Sequence, residues 1–469
     1  MNTDHAEDQK KLVRLIGCLK ELCERETRGE KVLLSKSVNE SLPLLLTMRN
    51  KVIQEAGGSE VWNGLSEVEQ SKLNERVYRE LCIQLGHEDF GRLSSTEKEV
   101  IDFFVWAGCC MHKDLNAVKG GATQMAKYWA ETGLTGPMKL MNKDNAAAST
   151  MGSSAAKKRA EEVSQAGAMK LTSLAGSIFN HKDDKKGQHD SLKYYFTLYT
   201  GCSIDFPDTS NTRYQSHCSA AAELIANRPL YIRFLVNVRD RKETMTFTNI
   251  KQNVYNGLHD IPTLAKLIIL IVYSQAICHP YLRVVRCAKQ TNALDLGPLH
   301  QQVKEHIRKM INDPSLVLLP GALHETGTMN GTQWEHPEAM YAAWSLMGQP
   351  NFPKLDGLLR AFLEGALETW ERLTEEYRDG GVIAKSSAEQ RRLAHLDPTN
   401  DCNEGGLGGY RRSKRHSQNE SLAYYNARTM YKANSTSEYV SSTLEDSETQ
   451  KFLRRKAREI GASGMSRKL

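Results

Sequence analysis

Apolar residues along this chain recur mainly at intervals of three and four, the spacing of helices packed on one side. Residues 10–27 place Leu12, Leu15, Ile16, Leu19, Leu22 and Cys23 on one stripe, and Val77, Leu81, Ile83 and Leu85 form a second. SSTEKEVIDFFVW at 94–106 offers a capping Ser or Thr followed by Glu, then an apolar run. From about Ala220 to Asn312 nearly every segment reads as helix, with Pro229 expected to kink or split the first of them. PTLAKLIILIVYS is apolar nearly all round, which predicts the central helix of a bundle. Residues 358–377 carry Leu359, Phe362, Leu363, Ala366, Leu367, Trp370 and Leu373, the clearest amphipathic helix in the chain.

A second period enters in three places. Segments near 98–118, 168–180 and 193–206 contain β-branched and aromatic residues, as in KLTSLAGSIF and LKYYFTLYTGCSI. They predict a small, incomplete mixed sheet inside a mainly α protein (α+β). Residues 144–168 are rich in Ala, Ser and Gly and read as a linker or an exposed small-residue helix. HKDDKKGQHD at 181–190 reads as a charged surface loop, with His181, Asp183, Asp184, His189 and Asp190 as possible metal donors.

Composition narrows the setting. Of the 469 residues 40% are hydrophobic and 25% charged, ordinary for a globular protein, so disorder of the whole chain is excluded. The longest apolar run, Leu267–Tyr273, is far short of the ~20 residues a membrane helix needs. The polar start, MNTDHAEDQKK, is no signal or transit peptide. Ten scattered cysteines suit a reducing compartment, nucleus or cytoplasm. The net charge of +6 is uneven: residues 405–469 sum to +7 and all the rest to −1. A basic segment of that kind favours phosphate backbones through counterion release.

Four stretches could carry chemistry. In WAGCCMHKDLN, Cys109 and His112 have a spacing that can chelate Zn2+, and Asp114 could be a carboxylate ligand. Two soft ligands are half of a structural site, so a partner pair such as His217 and Cys218 is required. KGGATQMAKYW at 119–129 reads as a turn before a helix, with backbone N–H groups that could hold a phosphate. Arg213 and Tyr214, at an expected helix start, could meet nucleic acid. PTNDCNEGGLGGYRRSKRH places Glu404 near a helix start, ahead of Arg411, Arg412, Lys414 and Arg415. A carboxylate there could hold a divalent ion while the cations hold DNA phosphates. Glycines at 405, 406, 408 and 409 cost a helix ~1 kcal/mol each, which suggests close backbone approach.

The order C-x-x-H-x-x-x-N (Cys109, His112, Asn116), NTRYQSH at 211–217, then TN-x-x-x-E (Thr399, Asn400, Glu404) resembles cut-and-paste transposases with an RNase H-like core. It is similar to the hAT pattern. More closely, WAGCCMHKDLNAVKGG, FPDTSNTRYQSH and PTNDCNEGGLG resemble transposon-associated proteins of mushroom-forming fungi, from about Gly57 to Gly464. The resemblance implies three carboxylates on an RNase H-like sheet binding two Mg2+ for strand cleavage and joining. Glu404 then matches the final acidic residue. Asp114 is the candidate for the second, on the opposite side of C-x-x-H from its usual place. The first, expected as D-G-[ST] in an early strand, has no counterpart in residues 1–100, where Asp4, Asp8, Asp89 and Asp102 lie in polar or helical contexts.

The implied organisation is an N-terminal helical region (1–95), a partial RNase H-like core (96–218 with 354–425), a helical insertion (219–353) and basic C-terminal helices (426–469). The expected function is that of a transposase-derived DNA-binding protein, a catalytically incomplete remnant of a strand-transfer enzyme, with DNA as partner, self-association possible and no membrane. The alternatives are an active Mg2+-dependent nuclease in which Asp114, Asp183 or Asp184 and Glu404 converge, and a helical DNA-binding or protein-interaction module.

Overall fold

A computed structural model describes residues 1–183, 187–209, 215–287, 291–444 and 446–464, leaving out the side chains of Cys287, Cys402, Asn403, Glu404 and Leu407. The chain forms two compact units, Met1–Thr399 and Asn400–Leu469.

The first unit is mainly helical, as the three-and-four spacing requires. Ser94 caps a helix at Ser95–Ile101 in a reciprocal box with Glu97. The break at Pro229 is real: one helix spans Ser216–Ala226, and the next, Arg228–Asp240, carries the proline in its first turn. The all-apolar stretch forms the central helix Ile261–Tyr273, with Leu264 and every residue from Leu267 to Tyr273 buried. With its continuation to Arg286 it is long and apolar enough to cross a membrane, but 89% of its most apolar window is buried inside the protein.

The expected mixed sheet is corrected. KLTSLAGSIF lies in the helix Ala168–Phe179, and LKYYFTLYT lies in the helix His189–Thr200. The reason is spacing: Leu171, Ala175, Ile178 and Phe179 are buried together, and so are Leu192, Tyr195 and Phe196. Three-and-four burial against the core outweighs the β preference of individual residues. Within 98–118 only Ala107–Gly108 is extended; it runs parallel to Asn2–Thr3, pairing Asn2 with Ala107 and Thr3 with Gly108. Among the described residues this two-stranded pair is the only sheet.

One hydrophobic core runs from Cys109 to Trp370, drawing residues from both sides of the expected boundaries at 218/219 and 353/354. At its heart the helix Cys110–Thr132, called the motif helix below, lies against the helix Asp356–Leu373. Glycines let their backbones touch. A Cβ on Gly365 would sit 2.5 Å from the Gly120 carbonyl oxygen, and one on Gly121 would sit 2.6 Å from the Phe362 ring. KGGATQ is therefore neither a turn nor a phosphate cradle; it is the middle of a helix, kept glycine for close approach.

The N-terminal helices Glu7–Ser35 and Glu67–Gly91 make a second glycine crossing, where a Cβ on Gly86 would meet the Arg25 carbonyl oxygen at 1.8 Å. Arg25 anchors it, lying 3.3 Å from the Phe90 ring centre and donating to both Asp102 oxygens at 2.6 and 2.9 Å. Arg28 likewise holds Asp89 at 3.0 Å. The first helix turns Val13, Gly29 and Leu33 inward, while Leu12, Leu15 and Leu19 of the expected stripe remain exposed.

Gly365→Ala forces the two core helices apart or off their rotamers, and should lower unfolding free energy by about 1–3 kcal/mol. Gly91→Ala, with nothing within 4 Å of the added methyl, should stay within about 1 kcal/mol. Urea titration of the two variants reads the difference.

Candidate functional site

The motif helix begins where the short sheet ends. Cys109 donates its N–H to Thr3 O at 2.8 Å, and Cys110 donates to Pro398 O at 2.9 Å. The CCMH and PTND stretches therefore meet at their edges, Cys110 against Pro398. The unit boundary falls just beyond, so Glu404 belongs to the second unit, on the helix Asp401–His416. Its side chain lies outside the described residues, and so does Arg213.

Past its start the motif helix sends its polar side chains in different directions. Asp114 is 1% exposed. Its oxygens accept from Gln215 Nε2 at 2.6 Å and from Cys278 Sγ at 3.1 Å. Burial pushes its carboxyl above the ordinary value of 3.8, outweighing those two hydrogen bonds. Gln215 reaches it from a left-handed backbone conformation, φ 57°, a strained position that puts the amide at the end of the Ser216–Ala226 helix. Cys278 reaches it from a single π turn, Ser274–Cys278, inserted after the central helix.

Lys113, next to it, is fully buried on another side. Its ammonium lies 2.8 Å from Glu376 Oε1 and 2.5 Å from Gly108 O. Burial alone would raise Glu376, but the Lys113 charge and hydrogen bonds from His5 and Lys113 overcome it and hold the carboxyl at about 2. Cys110 points to a third group. Its Sγ is 3.8 Å from His300 Nε2, which also lies 3.0 Å from the Tyr281 hydroxyl. Burial raises the Cys110 thiol and holds His300 well below its ordinary value.

Asp114 is not placed to share a divalent ion with His112. His112 and Asp114 are two residues apart on a helix, and such positions do not face each other. The two atoms that Asp114 would offer are taken and desolvated. The proposed partner pair is likewise engaged: His217 Nδ1 is 2.7 Å from Thr172 Oγ1, and the buried Cys218 lies against Cys278. Among the described residues no three His, Cys, Asp or Glu side chains are grouped to hold a metal. In the 181–190 loop, Asp183 instead accepts from the N–H groups of Asp190 and Ser191 at 2.9 and 3.0 Å, capping a helix. Asp89 and Asp102, the early aspartates, are tied to Arg28 and Arg25.

Sequence reading singled out Asp114 but missed Lys113, Gln215, Cys278 and Glu376. Only Lys113 carried a signal, an ionisable residue within a stretch otherwise bound for the core.

The second unit holds the basic residues. On Asp401–His416, Arg411, Arg412 and Arg415 are exposed and have no carboxylate partner among the described residues, whereas Lys414 donates to Gln418 O and Glu420 O at 2.8 and 2.7 Å. At about 100° per residue, positions 411, 412 and 415 share one face. Close approach explains one glycine of the four: a Cβ on Gly409 would lie 2.7 Å from the Tyr425 hydroxyl, which donates to Gly406 O at 3.0 Å. The helix Ser447–Ala462 adds exposed Arg454 and Arg458.

Comparison of the chain with protein-family models, curated proteins and solved structures finds no match.

Two stability tests follow. The folded Asp114 carboxyl binds its proton more tightly than the unfolded one, so its contribution is greatest below pH 3.8 and declines as pH rises toward the raised value. Asp114→Asn should remove that decline and match or exceed the parent at pH 7, while Asp114→Ala should lose about 2 kcal/mol or more. Glu376 has the opposite sign: its contribution is present above 4.5 and is lost as pH falls from there toward about 2. Lys113→Met leaves Glu376 charged and unpaired and should cost about 3–5 kcal/mol at pH 7. Thermal melts across pH measure both.

Proposed function

We propose that the chain is a transposase-derived DNA-binding protein in which the Asn400–Leu469 unit engages duplex phosphates and the CCMHKDLN helix serves the core of the first unit. One observation carries this reading: Arg411, Arg412 and Arg415 stand exposed on one face of one helix, free of acidic partners among the described residues. Guanidinium groups held this way can each displace a counterion from a phosphate, which gives affinity without sequence preference. The concentration of +7 in residues 405–469 extends the same field along the unit.

The strand-transfer role that the resemblance attaches to Asp114 is set aside on its environment. A metal-binding carboxylate must be open to its ion, and Asp114 is sealed under Gln215 and Cys278, with burial raising its carboxyl above the ordinary value. We therefore read the chain as a remnant that retains DNA contact and does not use Asp114 for chemistry. A protein-interaction module is the second reading, favoured by the exposed Leu12, Leu15 and Leu19 on the first helix.

Fluorescence anisotropy with a short labelled duplex separates the two. Binding at about 50 mM salt should weaken steeply as salt rises, and replacing Arg411, Arg412 and Arg415 by Gln should flatten the slope by about three counterions. No binding at that salt, or a triple variant that binds like the parent, defeats the proposal and leaves the interaction module.

A further inference from the structure

The central helix Ile261–Tyr273 is buried along nearly its whole length, yet it carries one lysine, Lys266. The stem of that lysine runs beside Gly167. A Cβ on Gly167 would lie 2.9 Å from Lys266 Cδ, 3.5 Å from its Nζ and 3.5 Å from Pro137 Cβ. Gly167 sits at φ 79°, a backbone conformation that favours glycine, so a methyl-sized space stays open beside the amine. Lys266 is half-buried, and its Nζ is not sealed from solvent. The amine has no hydrogen-bond or carboxylate partner among the described residues.

Its charged neighbour is a second cation. Lys139 pairs in an isolated antiparallel bridge with Ala166, the residue before Gly167. The exposed Lys139 ammonium donates to Ser164 O at 2.9 Å, which leaves two of its three N–H groups unused. Asp260, at the start of the same central helix, is spent on the N–H groups of Met138 and Thr263 at 3.2 and 3.0 Å. Burial first, and then the Lys139 charge, bring Lys266 down from 10.5 to about 8. At pH 7 about a tenth of it is then free amine, against less than about a thousandth of an ordinary lysine. Burial also lowers the Met1 and Lys251 amines, but Met1 donates to Val105 O at 2.8 Å and Lys251 has the Asp183 charge nearby.

We propose that Lys266 is a carbon dioxide site: its amine takes up CO2 as a carbamate, and the Lys139 ammonium pairs with the anion formed. The nitrogen lone pair attacks the carbon of CO2 and an N–C bond forms. One C=O electron pair moves onto oxygen, and the nitrogen releases a proton to solvent. The step needs no oxidant and no leaving group, and its electrophile is small enough for the space beside Gly167. It also turns two facing like charges into an ion pair. The site lies wholly in the first unit and does not depend on DNA contact by the second.

Carbon-13 bicarbonate, which supplies dissolved CO2, tests this on the full chain near neutral pH. The carbon spectrum should show a carbamate resonance that Lys266→Arg removes. Trapping with triethyloxonium ion followed by peptide mass spectrometry should place the modification on Lys266, and this mapping separates it from Met1 and Lys251. Lys139→Gln, a surface change, should lower the Lys266 carbamate by about threefold or more, since both the counter-ion and the charge that favours the free amine are lost. Circular dichroism melts of that variant should stay at the parent value. No carbamate on Lys266 in the folded parent overturns the proposal, and so does an occupancy that Lys139→Gln leaves unchanged. If Lys266→Arg does not fold, mapping on the parent and on Lys139→Gln decides alone.

Discussion

The close crossing of two helices at Gly120, Gly121 and Gly365 governs the first unit. Backbone meets backbone there, so one face of the motif helix is drawn into the core. Much of its first two turns inherits that burial. Cys110, Lys113 and Asp114 become interior groups, and each has to find a compensating neighbour inside the protein. The neighbours come from far along the chain: Glu376 for Lys113, Gln215 and Cys278 for Asp114, Tyr281 and His300 for Cys110.

Those neighbours explain two local irregularities. The left-handed Gln215 and the π turn at Ser274–Cys278 are both unfavourable by themselves. Each places a donor on the same buried carboxyl. Lys113 and Glu376, by contrast, join the motif helix to the segment after Leu373, and through Gly108 to the short sheet. The Cys109–Asp114 stretch thus behaves as a junction of the fold. Burial and these contacts account for Cys110, Lys113 and Asp114 without a catalytic step.

Much of the helical plan was legible. Pro229 marked a true break, Ser94 and Glu97 a true cap, and the apolar run to Tyr273 a true central helix, because each depends on local geometry or simple partition. The sheet was misread since Tyr195, Phe196 and Ile178 look extended in isolation, and only the burial of every third or fourth residue reveals the helix. The GG pair was misread because a glycine kept for helix contact is indistinguishable in sequence from one kept for a turn. The site was legible only at Asp114: Gln215, Cys278 and Glu376 are 101, 164 and 262 positions away, and nothing local marks them.

The first unit is a polar-seamed helical body, and the second carries Arg411, Arg412 and Arg415 exposed, with no carboxylate partner among the described residues. The central claim is that Asp114 is a structural group closed to metal, its carboxyl raised by burial. Carbon-13 NMR of its side-chain carboxyl, assigned by comparison with Asp114→Asn, tests this across pH with and without magnesium. The account predicts a titration midpoint above 3.8 and a resonance that magnesium leaves unmoved. A midpoint at or below 3.8, with a resonance that shifts as magnesium is added, would contradict it.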